Sequence, residues 1–133
     1  MSRKNQRQLK HSRLRSFAVR NLVVEKDAEG VTSETFPLEA DPITVKGEIW
    51  PATSKRQAEM YGSRLDGISN FRIAGQYSSV TDAGRIGVKL PDGAAVYTGD
   101  GLYVLADPLT EEPDYRIISV TPYEPVLMEV ERR

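Results

Sequence analysis

The feature that most constrains this chain is its punctuation. Beyond Ile43 it is cut into short segments by turn-forming clusters: Ser78-Ser79, Thr81-Asp82-Ala83-Gly84, Pro91-Asp92-Gly93, Gly99-Asp100-Gly101, and a proline-bounded stretch at 122–125. In Pro91-Asp92-Gly93 the proline presets φ and the glycine accepts a positive φ, so the turn has a mechanism. Turn signals every ~8–12 residues leave room for strands but for few helices. The segments between them read as strands. Residues 43–50 place Ile43, Val45 and Ile49 on one face and Thr44, Lys46 and Glu48 on the other, the period of a half-buried strand. Gly47 interrupts that apolar face and predicts a bulge or sharp bend. Further strands are expected at 17–25, 68–77, 85–90, 94–98, 102–106, 115–121 and 126–131, with a short edge strand at 32–38. The fold class expected is all-β: a small barrel or sandwich with a long charged loop, possessing at most one short helix. Closure into a barrel would also hide the sheet edges.

One connection breaks the rhythm. The strand at 43–50 stops at Trp50-Pro51, and the next begins at Ile68, leaving a polar excursion at 52–67. Connections this long in small domains are usually functional or disordered. Ser54 and Gln57 have capping-box spacing, good helix formers follow, and Gly62 would stop a helix. Ala58, Met60 and Tyr61 do not complete an apolar stripe, so one or two turns of helix and a mobile loop are both open. Across 51–67, Lys55, Arg56 and Arg64 face Glu59 and Asp66. The excursion is either a plain surface loop or one that reaches into a partner or a channel.

The chain has 133 residues, 39% of them apolar and 28% charged. That suits one soluble domain with a core of its own. No apolar run approaches the ~20 residues a membrane-spanning helix needs. There is no cysteine, which excludes disulfides, thiolate metal sites and cysteine nucleophiles. The single histidine, His11, lies in a basic terminus, which argues against histidine catalysis and multi-histidine metal sites. The net charge of −1 hides a polarity. Residues 1–20 carry seven basic residues and no acid, whereas 21–133 carry eleven basic and nineteen acidic residues, a net of −8. The expected organisation is a basic arm at 1–16 and one β domain at 17–133. Arg3, Lys4, Arg7, Lys10, Arg13 and Arg15 are the candidate arm contacts. Such an arm either binds phosphate or an acidic neighbour, or is a solvated tail.

Four arrangements could carry chemistry, and each is outweighed. Asp92, Asp100 and Asp107 lack the spacing of a calcium loop and read as turn residues. Glu111, Glu112 and Asp114 read as an acidic surface loop. Ser78 and Ser79 have no identifiable base. Gly99 and Gly101 lack the Lys-Ser/Thr and helix of a phosphate loop. No catalytic residue, metal ligand, cofactor or small-molecule substrate is therefore expected. Trp50 is expected in the core. Tyr61, Tyr77, Tyr97 and Tyr103 could form a stacking platform for single-stranded nucleic acid, although such a groove should be basic and this body is acidic.

The ordered pattern of these segments resembles the head–tail joining proteins of tailed phages, also called stoppers or head-completion proteins. The residues that carry the resemblance are Ile49-Trp50-Pro51, Gln57-Ala58-Glu59, Gly62, the strand from Phe71 to Tyr77, Arg85-Ile86, and Tyr115-Arg116-Ile117-Ile118-Ser119-Val120. The pattern departs at Ala74-Gly75-Gln76, where the family has an arginine, and in a longer stretch at 87–113. The resemblance implies a virion protein made in the host cytoplasm, without catalytic activity. It implies a small β-barrel assembling as a hexameric or dodecameric ring below the portal and adaptor, retaining packaged double-stranded DNA and docking the tail. In some members the loop after the first matched strand closes the channel. Carried over, that loop is 51–67, with Lys55, Arg56, Gln57, Glu59, Tyr61 and Arg64 as channel or gating residues. The alternatives are an adaptor or tail-terminator ring of the same connector, and a single-stranded nucleic-acid-binding barrel.

Overall fold

The computed structural model describes residues 14–75, 77–121 and 127–133. Most of the arm, Gln76 and residues 122–126, which include the turn expected at 122–125 and the first residue of the expected closing strand, lie outside the described residues. Eleven strands are described: β1 Arg15–Arg20, β2 Val23–Lys26, β3 Thr32–Thr35, β4 Ile43–Pro51, β5 Ile68–Ile73, β6 Ser78–Asp82, β7 Arg85–Lys89, β8 Ala95–Tyr97, β9 Gly101–Tyr103, β10 Tyr115–Thr121 and β11 Leu127–Arg132. Between β4 and β5 lie helix α1, Lys55–Tyr61, and a 3-10 helix, Gly62–Gly67.

Six strands close a barrel in the order β1-β4-β5-β11-β10-β9, with β9 returning to β1. The barrel is two antiparallel three-stranded meanders, β1-β4-β5 and β9-β10-β11, joined through β5–β11 and β9–β1. The expected all-β barrel is the fold. Its interior is filled: Phe71, Leu102, Ile117, Met128, Val19 and Val130 are fully buried, and Phe17 meets Phe71 edge to face at 4.9 Å. A three-stranded sheet, β6-β7-β8, adds Val88 and Val96 to the same core. The third sheet is the β2–β3 hairpin, in which every residue is exposed.

Local chemistry explains where strands differ from the expected bounds. The predicted strand 17–25 is two strands. It breaks at Asn21-Leu22, where the Leu22 N–H donates to the Asp100 carboxylate (2.8 Å) and not to a neighbouring strand. Beyond that break Val23 and Val24 are exposed. The strand expected at 102–106 stops at Tyr103, because the Val104 and Leu105 amides donate to the Asp114 carboxylate at 2.8 and 2.9 Å. Gly47 makes no bulge: no register shift falls there, and it is where the β1 ladder ends and the β5 ladder begins. It is the position paired on both sides, to Arg15 of β1 and Ile73 of β5. A Cβ there would sit 2.3 Å from the Arg72 carbonyl oxygen and 3.1 Å from the Phe71 ring, so glycine lets the ring lie across β4.

The bulge lies in β10 instead. Ile117 pairs with Val130 and Ser119 with Glu129, leaving Ile118 as the extra residue. Tyr115, Ile117 and Val120 all pack on the core. The Tyr-x-Ile-x-x-Val spacing is thus the signature of a bulged strand: two residues separate the last two inward positions because one is looped out.

Candidate functional site

The 52–67 excursion sits at the tip of a hairpin. β4 and β5 are neighbours, with Pro51 opposite Ser69, and the Ala52 N–H donates to the Ile68 carbonyl at 3.2 Å. The excursion therefore begins and ends at one place. It folds as the capping box directs. The Gln57 N–H donates to Ser54 Oγ (3.1 Å), and the Ser54 N–H reaches Gln57 Oε1 (3.4 Å). Gly62, at φ 56°, ends the helix.

What holds α1 to the barrel is polar. Gln57 caps the helix with its oxygen and uses its nitrogen as a hook: Nε2 donates to Asn70 Oδ1 (2.7 Å) and to Glu129 Oε2 (2.8 Å). The Tyr61 hydroxyl donates to Glu129 Oε1 at 2.7 Å. The Ser119 hydroxyl, turned outward beside the bulge, donates to the same oxygen at 2.7 Å. Arg64 forks onto Glu131 with bonds of 3.0 and 2.7 Å. Glu129 and Glu131 are alternate residues of β11, so both point outward toward the excursion while Met128 and Val130 point inward.

The electrostatics follow these contacts. Burial alone would raise the Glu129 carboxyl, but hydrogen bonds from Tyr61, Gln57 and Ser119, with the Arg56 charge, bring it below its ordinary value. Glu131 is lowered chiefly by its bond to Arg64. Tyr61 is pushed up to about 12, first by burial and then by its bond to Glu129 and that group's negative charge. Glu129 is therefore a firmly ionised anchor and a poor base, and the Ser119 hydroxyl it receives is not activated.

Beside this anchor an open groove of about 390 Å³ runs along α1. Trp50 and Met60 line it, with Gln57, Asn70, Ser119 and Glu129 among its polar members. Trp50 was expected in the core and is instead 38% exposed. The reason is register: it lies one residue past Ile49, opposite Asn70, on the outer face of β4. Of the six residues assigned to the loop, Gln57, Tyr61 and Arg64 are fastened to the barrel, while Lys55, Arg56 and Glu59 are exposed. Of the arm residues, Arg15 opens β1, its guanidinium 4.5 Å from the Phe17 ring centroid, so the arm ends before it. Arg3, Lys4, Arg7, Lys10 and Arg13 lie outside the described residues.

The aromatic platform does not assemble. Tyr103 is 4% exposed, and its hydroxyl donates to the Glu111 carbonyl (2.8 Å) and accepts from Arg20 Nε (3.0 Å). Tyr61 and Tyr97 sit on α1 and β8, each with an arginine over its ring. Asp92 and Asp107 act as turn residues, accepting the Ala94 and Leu109 amides at 2.9 and 3.0 Å. Asp100 is more than that. It is fully buried, and it accepts from the Leu22 and Tyr97 amides, Asn21 Nδ2 and Arg85 Nη1. Arg20 is its cationic counterpart: a buried guanidinium bonded to Tyr103 and to the carbonyls of Pro37, Ala40 and Pro108. The sequence marks Asp100 only as a turn residue and does not mark Arg20 as buried, because each gathers partners from segments far apart in the chain.

No family model, curated protein or solved structure matches this chain.

Proposed function

We propose that this protein is a structural subunit that assembles side by side with copies of itself into a ring, and that the ring is the head–tail connector stopper of a tailed phage. The observation that carries the assembly reading is the β2–β3 hairpin. Every strand residue is exposed, Val24 at 56%, and an exposed Glu34–Arg116 ion pair of 3.0 Å ties the hairpin to β10 of the barrel. A two-stranded hairpin with neither face covered is marginal in water. It gains a covered face where a neighbouring subunit packs on it. The filled barrel interior supports the same reading in another way: a conduit for DNA would have to lie between subunits and not through one. The stopper assignment within that class rests on the resemblance of the strand and motif pattern described above.

In this reading 52–67 is the element that faces the channel, and Lys55, Arg56 and Glu59 are the side chains free to meet DNA or the opposite loops. The state described here has α1 latched onto β11. The test is mass photometry and negative-stain imaging of the full chain, alone and with a portal complex. Rings are expected; monomers under both conditions would refute the assembly reading. Rings that assemble on a portal yet leave DNA release from filled heads unchanged would refute the stopper role and keep the ring.

A further inference from the structure

The β2–β3 hairpin has a charge as well as an exposed surface. Residues 21–42 contain six acids, Glu25, Asp27, Glu29, Glu34, Glu39 and Asp41, and one base, Lys26, a net of −5. All six acids are exposed, Glu34 in an ion pair with Arg116 of the same chain at 3.0 Å. Interleaved with them are exposed Val23, Val24 and Val31. Residues 1–13 carry five bases, Arg3, Lys4, Arg7, Lys10 and Arg13, and no acid, so their formal charge is +5 with His11 neutral. The two segments match in magnitude and oppose in sign. The match is chemical as well as electrostatic, because arginine and lysine lay their aliphatic stems on apolar surface while their heads reach carboxylates.

The roots of the two segments lie at opposite ends of β1. The arm joins it at Arg15, and the hairpin leaves from Arg20. Those ends are about 17–20 Å apart at strand rise, and thirteen extended residues reach at most about 45 Å. The roots are therefore separate, and an arm docked on a neighbour's hairpin leaves its own hairpin open to the next copy, the arrangement of a head-to-tail contact, which generates rings when the rotation closes. We infer that the β2–β3 hairpin is the docking surface for the basic arm of a neighbouring copy. The inference deepens the ring reading and rests on it for the identity of the neighbour.

The test uses the full chain with two charge reversals: E25K/E29K on the hairpin and R3E/K4E/R7E on the arm. Both glutamates are exposed, so the barrel has no reason to respond, and circular dichroism checks that it does not. Native mass spectrometry then reads association. Either reversal alone should abolish it at low salt, because E25K/E29K takes 21–42 from −5 to −1 and R3E/K4E/R7E takes 1–13 from +5 to −1. A labelled peptide of residues 1–13 should bind the arm-reversed chain and lose at least about tenfold in affinity when E25K/E29K is added. Association that survives both single reversals overturns the arm–hairpin contact and leaves the ring standing. A wild-type chain that stays monomeric while the peptide still binds through Glu25 and Glu29 supports the contact and sinks the ring. A peptide that binds E25K/E29K undiminished, or that is captured by duplex DNA and ignored by the chain, overturns the inference.

Discussion

Replacing Asp100 by asparagine is the sharpest test of how this barrel is held together. The substitution keeps shape and volume. It should nevertheless cost almost as much as alanine, for a reason visible in the hydrogen bonds. Both carboxylate oxygens only accept. Oδ1 receives the Leu22 amide (2.8 Å) and Arg85 Nη1 (3.3 Å), and Oδ2 receives the Tyr97 amide (2.8 Å) and Asn21 Nδ2 (2.7 Å). An amide group must turn its NH2 toward one pair or the other, setting donor against donor in a site with no solvent exposure. One buried backbone N–H is then orphaned, at about 1–3 kcal/mol, and the Arg85 charge loses its partner. We expect a total of about 3–5 kcal/mol for D100N, against the roughly 5–15 kcal/mol that holds an ordinary domain together. At about 3–5 °C per kcal/mol for a chain of this size, the melting temperature should fall by about 10–20 °C. Urea titration followed by far-UV circular dichroism measures it, and the slope with denaturant should stay unchanged. A D100N protein within about 1 kcal/mol of wild type would refute the reasoning, because it would mean that water reaches the site and that Asp100 does not tie β1, β7 and β8 together.

Four further outcomes are expected. In E129Q, Tyr61 should titrate below about 12, since the Glu129 charge that helps to raise it is gone while burial still raises it and Arg64 still lowers it; ultraviolet tyrosinate titration reads this directly. The latch should also respond to pH at both extremes: the Tyr61 contribution is complete below 10.0 and lost as the pH rises through about 12, while those of Glu129 and Glu131 are complete above 4.5 and lost as the pH falls through their lowered values. Limited proteolysis within 55–64 should accordingly accelerate at acid and at strongly alkaline pH, and a flat profile would refute the latch. Gly47→Ala should destabilise by about 2–4 kcal/mol, because its Cβ meets backbone that cannot move, while Gly67→Ala, with open space around it, should change stability by under about 1 kcal/mol; equal melting temperatures would sink the packing argument. Replacing 53–67 by a tight turn should leave a folded barrel, since Ala52 already bonds Ile68, and under the stopper reading heads assembled with that variant should leak DNA; unaltered retention would refute the gate.

The barrel was legible because its signal is local. Period-two alternation puts Ile43, Val45 and Ile49 on one face, and Val45 is buried there, while turn residues separate the strands. The places where the chain changes partner were not legible. Nothing in FAVRNLVVE marks Asn21-Leu22 as the point where it leaves the barrel, because the acceptor that ends β1 is Asp100, 78 residues away from Leu22. The bulge at Ile118 was written in the spacing of Tyr115, Ile117 and Val120, but a single strand cannot say whether an odd interval is a bulge or a change of face. Trp50 misled because large aromatics are usually buried, and the parity that turns it outward depends on where the strand ends.

The excursion was half legible, and the missing half decides what kind of element it is. The capping box and the glycine stop are local signals that the helix follows, and no apolar stripe accompanies them in the sequence. The stripe exists but is polar. Gln57 and Tyr61 are spaced four apart on one face of α1, Arg64 follows in the 3-10 helix, and the three meet Glu129 and Glu131, two apart on one face of β11. Two periodicities, one helical and one extended, interlock through hydrogen bonds. No residue of α1 is buried, so the hydrophobic effect adds little to its docking. Its attachment comes down to the Tyr61–Glu129, Gln57–Glu129 and Gln57–Asn70 bonds and the exposed Arg64–Glu131 pair. At about 1 kcal/mol net for each of the three part-buried bonds, that is on the order of 3 kcal/mol, and the exposed Arg64–Glu131 pair, screened by solvent, adds little. An apolar face would have fused the helix to the barrel for good. A polar one holds it in register in water and releases it to any surface that offers the same donors and acceptors better partners. That is the energetic form a movable element on a rigid barrel requires.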